Sequence, residues 1–225
     1  MKSPRAILLD FYGTVVEEDH ALILQICAQI AEGSPLHITA TDVGRYWSRL
    51  FGDLCLNSFD DAFQSQKALE HQSLIQVLEH FQVDRDAETL SQPLYDYWAS
   101  PVIYPESKRV LAQCPLPICL LSNIDTTDLR TALDAHDLHF THTISSEDCR
   151  AYKPRPAMFE RALLLLSLSP SEVLHVGDSL DSDVRGARAM GIPVLWMNRS
   201  HRPHPAGANA PDYVTHDLTG LLDFF

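Results

Sequence analysis

From residue 116 onward, short apolar runs alternate with helix-forming stretches, and this alternation constrains the fold more than any other feature. The runs are LPICLLSN (116–123), HTISS (142–146), EVLHVGD (172–178), IPVLWMN (192–198) and a weaker DYVT (212–215). Between them lie 126–138, which begins with capping residues, 156–168, which opens on a proline, and 181–191, which is acidic at its start and ends at Gly191. Several runs are apolar throughout, as expected of strands covered on both faces, and connections long enough to hold a helix suit parallel pairing. The pattern predicts an α/β fold: a doubly wound parallel sheet, with AILLDF (6–11) as its first strand. Residues 20 to about 98 interrupt it with four helix-like segments and no strand, closed by the proline-bearing link 100–107. This predicts a core of 1–16 and 102–225 carrying an inserted all-helical cap, 17–101. The stretch 199–212 reads as a surface loop.

Charge and cysteine content narrow the partners. With 17 Lys plus Arg against 30 Asp plus Glu, the net charge of −13 offers no footprint for a nucleic-acid backbone. No stretch approaches the ~18 apolar residues of a membrane span, and the N-terminal run is too short for a secretory segment. Five cysteines without a CxxC pair suit reduced thiols, so a cytoplasmic protein is expected. A small anionic substrate on so acidic a chain requires a local cation, a helix N-terminus or a metal. Nothing in the sequence specifies an oligomeric state.

Three predicted strands end on polar residues where an open α/β sheet binds its ligands. The first ends at Asp10, followed by Gly13 and Thr14; the second at Ser122 and Asn123; the fourth at GDSLDSD, with Asp178, Asp181 and Asp183. Carboxylates converging there need a cation to stay ionised, and hard oxygen ligands suit Mg²⁺. Lys153, in YKPRP, supplies a fixed positive charge. Singly, each is equally well a turn residue, a helix cap or an acidic first turn.

As an ordered set, Asp10 with Gly13-Thr14, Ser122, Lys153, Asp178 and Asp183 resembles the four motifs of the haloacid dehalogenase (HAD) superfamily of hydrolases, and the helical insert resembles that superfamily's C1 cap. The resemblance implies that Asp10 is a nucleophile forming an aspartyl-enzyme ester, that Ser122 and Lys153 assist it catalytically, and that Tyr12, Thr14 and Asn123 contact substrate. In metal-dependent members, the ion would be held by Asp10, the Tyr12 carbonyl and Asp178, with Asp183 supporting.

Tyr12 divides the alternatives. Phosphatases of the superfamily usually carry Asp there to protonate the leaving group, and a phenol is a poor general base near neutrality. The D-x-Y-G-T pattern resembles the metal-independent 2-haloacid dehalogenases, in which a cap Arg grips the substrate carboxylate; Arg49 is the first candidate and Arg45 the second. VGDSLDSDVRGA resembles the metal-binding version instead, so the expectation is a Mg²⁺-dependent phosphatase, with 2-haloacid dehalogenase as the alternative. Glu17, Glu18 or His20 would then replace the missing acid. A phosphonatase would need a cap Schiff-base lysine, for which only Lys67 is available, and a catalytically decayed binding module is the remaining reading. Trp47, Phe51, Phe63, Tyr95 and Trp98 are candidate pocket walls, or simply cap core.

Overall fold

The computed structural model describes residues 3–203, 207 and 210–225. Residues 204–206 and 208–209 of the expected loop, and the first two residues of the N-terminal segment, lie outside the described residues. Strands β1 (Ala6–Leu9), β2 (Ile118–Ser122), β3 (His142–Ser145), β4 (Val173–Gly177), β5 (Val194–Met197) and β6 (Tyr213–Thr215) form one parallel sheet in the order β3-β2-β1-β4-β5-β6. Every residue of β1, β2, β4 and β5 is buried, as the unbroken apolar runs require. Along β1 the side chains alternate: Ile7 and Leu9 join the apolar cluster on one face, Ala6 and Leu8 that on the other.

The strand order places the functional end. From β1 the chain winds outward through β2 and β3, then returns to pair β4 with β1, Leu8 opposite His175 and Leu9 opposite Val176. The order therefore reverses between β1 and β4, and a crevice forms beyond their carboxyl ends. Asp10 and Asp178 are the first residues past those two ends.

Helices α1 (His20–Gly33), α2 (Ala40–Asn57), α3 (Gln66–His80) and α4 (Ala87–Ala99) follow β1 without an intervening strand. α2 opens on a reciprocal Thr39–Asp42 cap, α3 on Ser65 accepting from the Ala68 N–H, and α4 on Asp86 accepting from the Thr89 N–H. Their buried residues, including Ile26, Val43, Leu74 and Leu94, continue the cluster that holds Ile7 and Leu9. The two chain crossings into this block lie side by side: Val16 bridges Ile103, and the Glu17 N–H donates to the Val102 carbonyl at 2.7 Å. Among the described residues no helix is long and apolar enough to cross a membrane.

The core is completed by α5 (Ser107–Gln113), α6 (Thr126–His136), α7 (Ser146–Cys149), α8 (Ala157–Leu166) and α9 (Gly186–Ala189). The sequence predicts one helix over 181–191. The structure instead has a π-type turn, Leu180–Arg185, ahead of α9, and the Val184 N–H reaches back to the Ser179 carbonyl at 3.0 Å. This wide turn is bound up with Asp183, whose carboxylate caps the turn's own start.

Candidate active site

Asp10 sits at the mouth of β1, 6% exposed. Its Oδ1 accepts from Lys153 Nζ at 2.6 Å and its Oδ2 from Thr14 Oγ1 at 3.1 Å. Lys153 Nζ also donates to Asp183 Oδ1 at 2.7 Å and to the Leu121 carbonyl at 3.0 Å, so its three protons are all engaged. Asp183 in turn accepts from His175 Nε2 at 2.9 Å and, on Oδ2, from the Ser179 N–H at 3.0 Å. Lys153 itself is fixed by a reciprocal pair with Asn123: the Lys153 N–H donates to Oδ1 at 2.7 Å and Asn123 Nδ2 donates to the Lys153 carbonyl at 3.0 Å.

Two glycines permit the close approach. Gly13 has φ of +80°, and a Cβ there would lie 2.6 Å from the Asp178 carboxyl carbon. At Gly177 a Cβ would lie 2.4 Å from that of Asp183. The result is three carboxylates, Asp10, Asp178 and Asp183, each with an oxygen within 4.8 Å of the others'.

The charge balance of this cluster is incomplete. Burial favours neutral Lys153, yet Asp10 and Asp183 together hold its pKa above the usual lysine range. Burial also opposes ionisation of Asp183, but Lys153 and His175 outweigh it and keep that carboxyl below the usual range. His175, wholly buried, is pushed down by desolvation despite Asp183 and remains neutral at neutral pH. One lysine thus faces three carboxylates. Burial raises Asp10 to about 7, with Asp183 adding to the shift and Lys153 opposing it. Asp178 is raised well above its ordinary value by burial and by Asp10, Glu18 and Asp183, against a weak pull from Arg202, whose Nη2 lies 3.9 Å from its Oδ2. A divalent cation fits this donor set: the ligands are hard oxygens, the cradle exists because Gly13 lacks a Cβ, and the charge deficit has the right sign. Asp183 accepts three hydrogen bonds on its two oxygens, from Lys153, His175 and Ser179, and Asp10 one on each, from Lys153 and Thr14, so Asp178 and the remaining lone pairs of Asp10 are the side-chain sites best placed to ligate.

The cavity above Asp10, about 180 Å³, is lined by Tyr12, Ser122, Asn123, Lys153, Asp178 and Asp183 among others. Thr14 does not line it; the hydroxyl is wholly buried behind Asp10 and positions that carboxylate. Asn123 faces the cavity, but its amide is spent on the Lys153 backbone. Tyr12 turns its hydroxyl away to donate to the Trp98 carbonyl, and burial, with Asp128 and Asp19 adding, holds its pKa above the usual phenol range. It is a link to the helical block and cannot serve as a base. Arg49 is not brought to the site. On α2 the inward positions are Val43 and Trp47, so Arg49, two residues past Trp47, projects on the opposite face and is exposed, as is Arg45 beside Asp42. Lys67 pairs with Asp128 at 2.7 Å and lines neither this cavity nor its neighbour. Of the three candidate acids Glu17, Glu18 and His20, all exposed, Glu18 alone lines the cavity, at its rim. Of the five candidate wall aromatics, Trp98 lines this cavity, while Trp47 and Phe51 face the adjoining one; Tyr95 and Phe63 line neither.

The sequence reading missed His175, Asp19 and Arg199. A histidine inside the otherwise apolar run VLHVG was the available signal for the first. Asp19 lines the cavity and accepts from Trp98 Nε1 at 2.7 Å. Arg199 stacks on Tyr104, 3.4 Å from the ring centre, and donates to the carbonyls of Gly13 and Thr14, bracing the loop after Asp10.

Residues 4–191 match the haloacid dehalogenase-like hydrolase family, and the chain belongs to it. Among its relatives are enzymes of two chemistries. A phosphoserine phosphatase of Thermus thermophilus is 35% identical over 123 residues, covering 52% of this chain and only 48% of that protein. An (S)-2-haloacid dehalogenase of Pseudomonas sp. strain YL is 25% identical over 226 residues, 98% of this chain and 94% of that one. The solved L-2-haloacid dehalogenase RSc1362 shares the fold with a TM-score of 0.80 at 23% identity, 99% of each chain being covered.

Proposed function

We propose that this hydrolase is a Mg²⁺-dependent phosphatase of a small phosphorylated metabolite, with Asp10 as nucleophile. The observation that carries the reading is Asp178: a half-buried carboxylate packed against Gly13 and Asp10 with no full counter-charge. Without a cation it would repel a substrate carboxylate approaching Asp10, which is the opposite of what a haloacid site needs. Residues 17–101 form the cap over a core of 1–16 and 102–225, hinged where Val16 meets Ile103. The five cysteines, all free thiols, suit a reducing cytoplasm.

Asp10, Asp178 and the Tyr12 carbonyl would hold the ion. When bound, it supplies neutralisation of phosphoryl charge and an orienting point. Lys153 favours the ionised form of Asp10 against burial and fixes its position, and Ser122 offers a hydroxyl to a phosphoryl oxygen. An Asp10 oxygen bonds to phosphorus as the ester P–O bond breaks, giving an aspartyl phosphate and the leaving alcohol. Glu18, at the cavity rim and raised by partial desolvation and by Asp19, donates the proton that alcohol needs. Water then attacks the phosphorus, Glu18 takes the water proton back, and Asp10 is regenerated with inorganic phosphate released.

Glu18→Gln is therefore expected to lower kcat/KM for alkyl phosphates by about 10²-fold. For p-nitrophenyl phosphate, whose leaving group needs no proton, the loss should be much smaller. Equal losses on both substrates would remove Glu18 from the acid role.

One pair of observations favours a second reading, metal-independent dehalogenation: Tyr12 stands where phosphatases carry their acid, and the dehalogenase likeness runs the length of the chain. Two assays separate the readings. Phosphate release from p-nitrophenyl phosphate that requires Mg²⁺ supports the phosphatase; chloride release from 2-chloropropionate in the presence of chelator supports the dehalogenase.

A further inference from the structure

The cavity over Asp10 continues into a second one, of about 480 Å³, beneath the cap; Glu18, Asp19, Gln66, Trp98 and Ser179 line both. A substrate whose phosphoryl group sits at Asp10 must place its leaving alcohol there. The walls combine aromatic rings, Trp47, Phe51 and Trp98, with the carboxylates of Asp19 and Glu70. Glu70 is 3% exposed, accepts from Tyr95 Oη at 2.6 Å and from Ser91 Oγ at 3.1 Å, and has no cation within ion-pair distance among the described residues. Two hydroxyls orient this carboxylate without neutralising it, and a buried carboxylate so placed is unfavourable until a positive group arrives. His71 acts on Glu70 without forming an ion pair, and Lys67, whose Nζ lies over the Tyr95 ring at 5.3 Å, is committed to Asp128; neither lines the cavity. No described Lys or Arg does.

A third acceptor is left over. Gln66 Oε1 is inaccessible to water and has no donor. Gln66 is held by its own N–H, which donates to Asp125 Oδ1 at 2.6 Å, so its side chain starts from a fixed point at the junction of the two cavities. A wall of acceptors and ring faces, with no cation of its own, matches a ligand that brings both positive charge and N–H donors.

We propose that the cap cavity selects phosphate monoesters whose leaving alcohol carries a primary ammonium group, gripped by Glu70 and Asp19 against Trp47 and Trp98. This rests on the phosphatase reading of the Asp10 site. Burial of the Glu70 and Asp19 carboxyls raises both, as expected of acids lacking a counter-ion.

The test compares a series of ω-aminoalkyl phosphates with alkyl phosphates of equal chain length, with glycerol 3-phosphate and phosphoglycolate as neutral-polyol and anionic controls. In the presence of Mg²⁺ the wild-type enzyme should show a kcat/KM ratio, amino over alkyl, of about tenfold or more at the best chain length. Glu70→Gln should reduce that ratio at least about fivefold, and Asp19→Asn provides the same readout should the first variant fail to fold. A wild-type ratio of one or less, or preference for the polyol or the carboxylate, overturns the inference while Mg²⁺-dependent turnover of p-nitrophenyl phosphate leaves the phosphatase intact. Absence of Mg²⁺-dependent turnover on every ester overturns both.

Discussion

Asp10→Asn is expected to lower kcat by about 10⁴-fold or more, because the amide cannot form the covalent intermediate and no neighbouring carboxylate can reach the same line of attack. Asp178 is the only other carboxylate of the cluster with uncommitted oxygens, and it leaves β4 rather than β1; Asp183 is bonded on both of its oxygens. The fold should survive the change. Lys153 loses one partner at 2.6 Å but keeps Asp183 and the Leu121 carbonyl, and the repulsion between Asp10 and Asp178 disappears. Opposing contributions of a few kcal/mol each should leave Tm within several degrees of wild type. Acid-quenched wild-type enzyme should carry one phosphoryl group on the peptide containing Asp10, and the variant none. A 1-carboxyethyl ester on that peptide after exposure to 2-chloropropionate, with chloride released, would assign the nucleophile to halide displacement instead.

The second large effect falls at Asp178. Asp178→Asn should reduce kcat/KM by about 10³-fold and abolish activation by Mg²⁺ together, since the remaining side-chain ligand, Asp10, is already shared with Lys153 and Thr14. Stability should move the other way. Removing the half-buried member of three crowded carboxylates should raise the melting temperature in chelator, whereas the wild type should be stabilised by added Mg²⁺ and the variant not. Retained Mg²⁺ activation in the variant would place the ion elsewhere.

Metal affinity should also depend on pH with a definite sign. Asp10, raised to about 7, and Asp178, raised well above its ordinary value, hold protons that the ion must displace. The Mg²⁺ concentration giving half-maximal activity should therefore fall as pH rises from about 6 to about 8. A value independent of pH over that range would mean that both carboxyls are already ionised without the metal.

The backbone plan was legible because it follows from period and termination. The short, largely apolar runs at 6–11, 116–123 and 172–178, bounded by turn and polar residues, read as strands covered on both faces, and their polar ends marked the catalytic mouth. The 181–191 segment was misjudged because an acidic, alanine-bearing stretch reads as one helix; what bends it is the Asp183 side chain reaching across to Lys153, a contact between residues 30 positions apart. Thr14 and Asn123 were legible as site residues but not as supports. Whether a hydroxyl or amide meets substrate or backbone depends on what lies opposite, and for both the partner is another member of the site. Arg49 shows the limit of residue type as a guide: a guanidinium on a cap helix invites an anion, yet its phase against Val43 and Trp47 turns it to solvent. Glu70 was invisible because a glutamate among helix formers carries no pattern, and its meaning arises only when α3 and α4 pack and Ser91 and Tyr95 close over it.

The proposed phosphatase chemistry requires a divalent ion shared by Asp10 and Asp178. Anomalous scattering from crystals grown with Mn²⁺ in place of Mg²⁺ measures this directly. The expected result is one strong peak within bonding distance of an oxygen from each of those two carboxylates, with the Lys153–Asp183 pair intact beside it. Saturating Mn²⁺ with no peak there, or a peak elsewhere while the three carboxylates stay as they are, would contradict it.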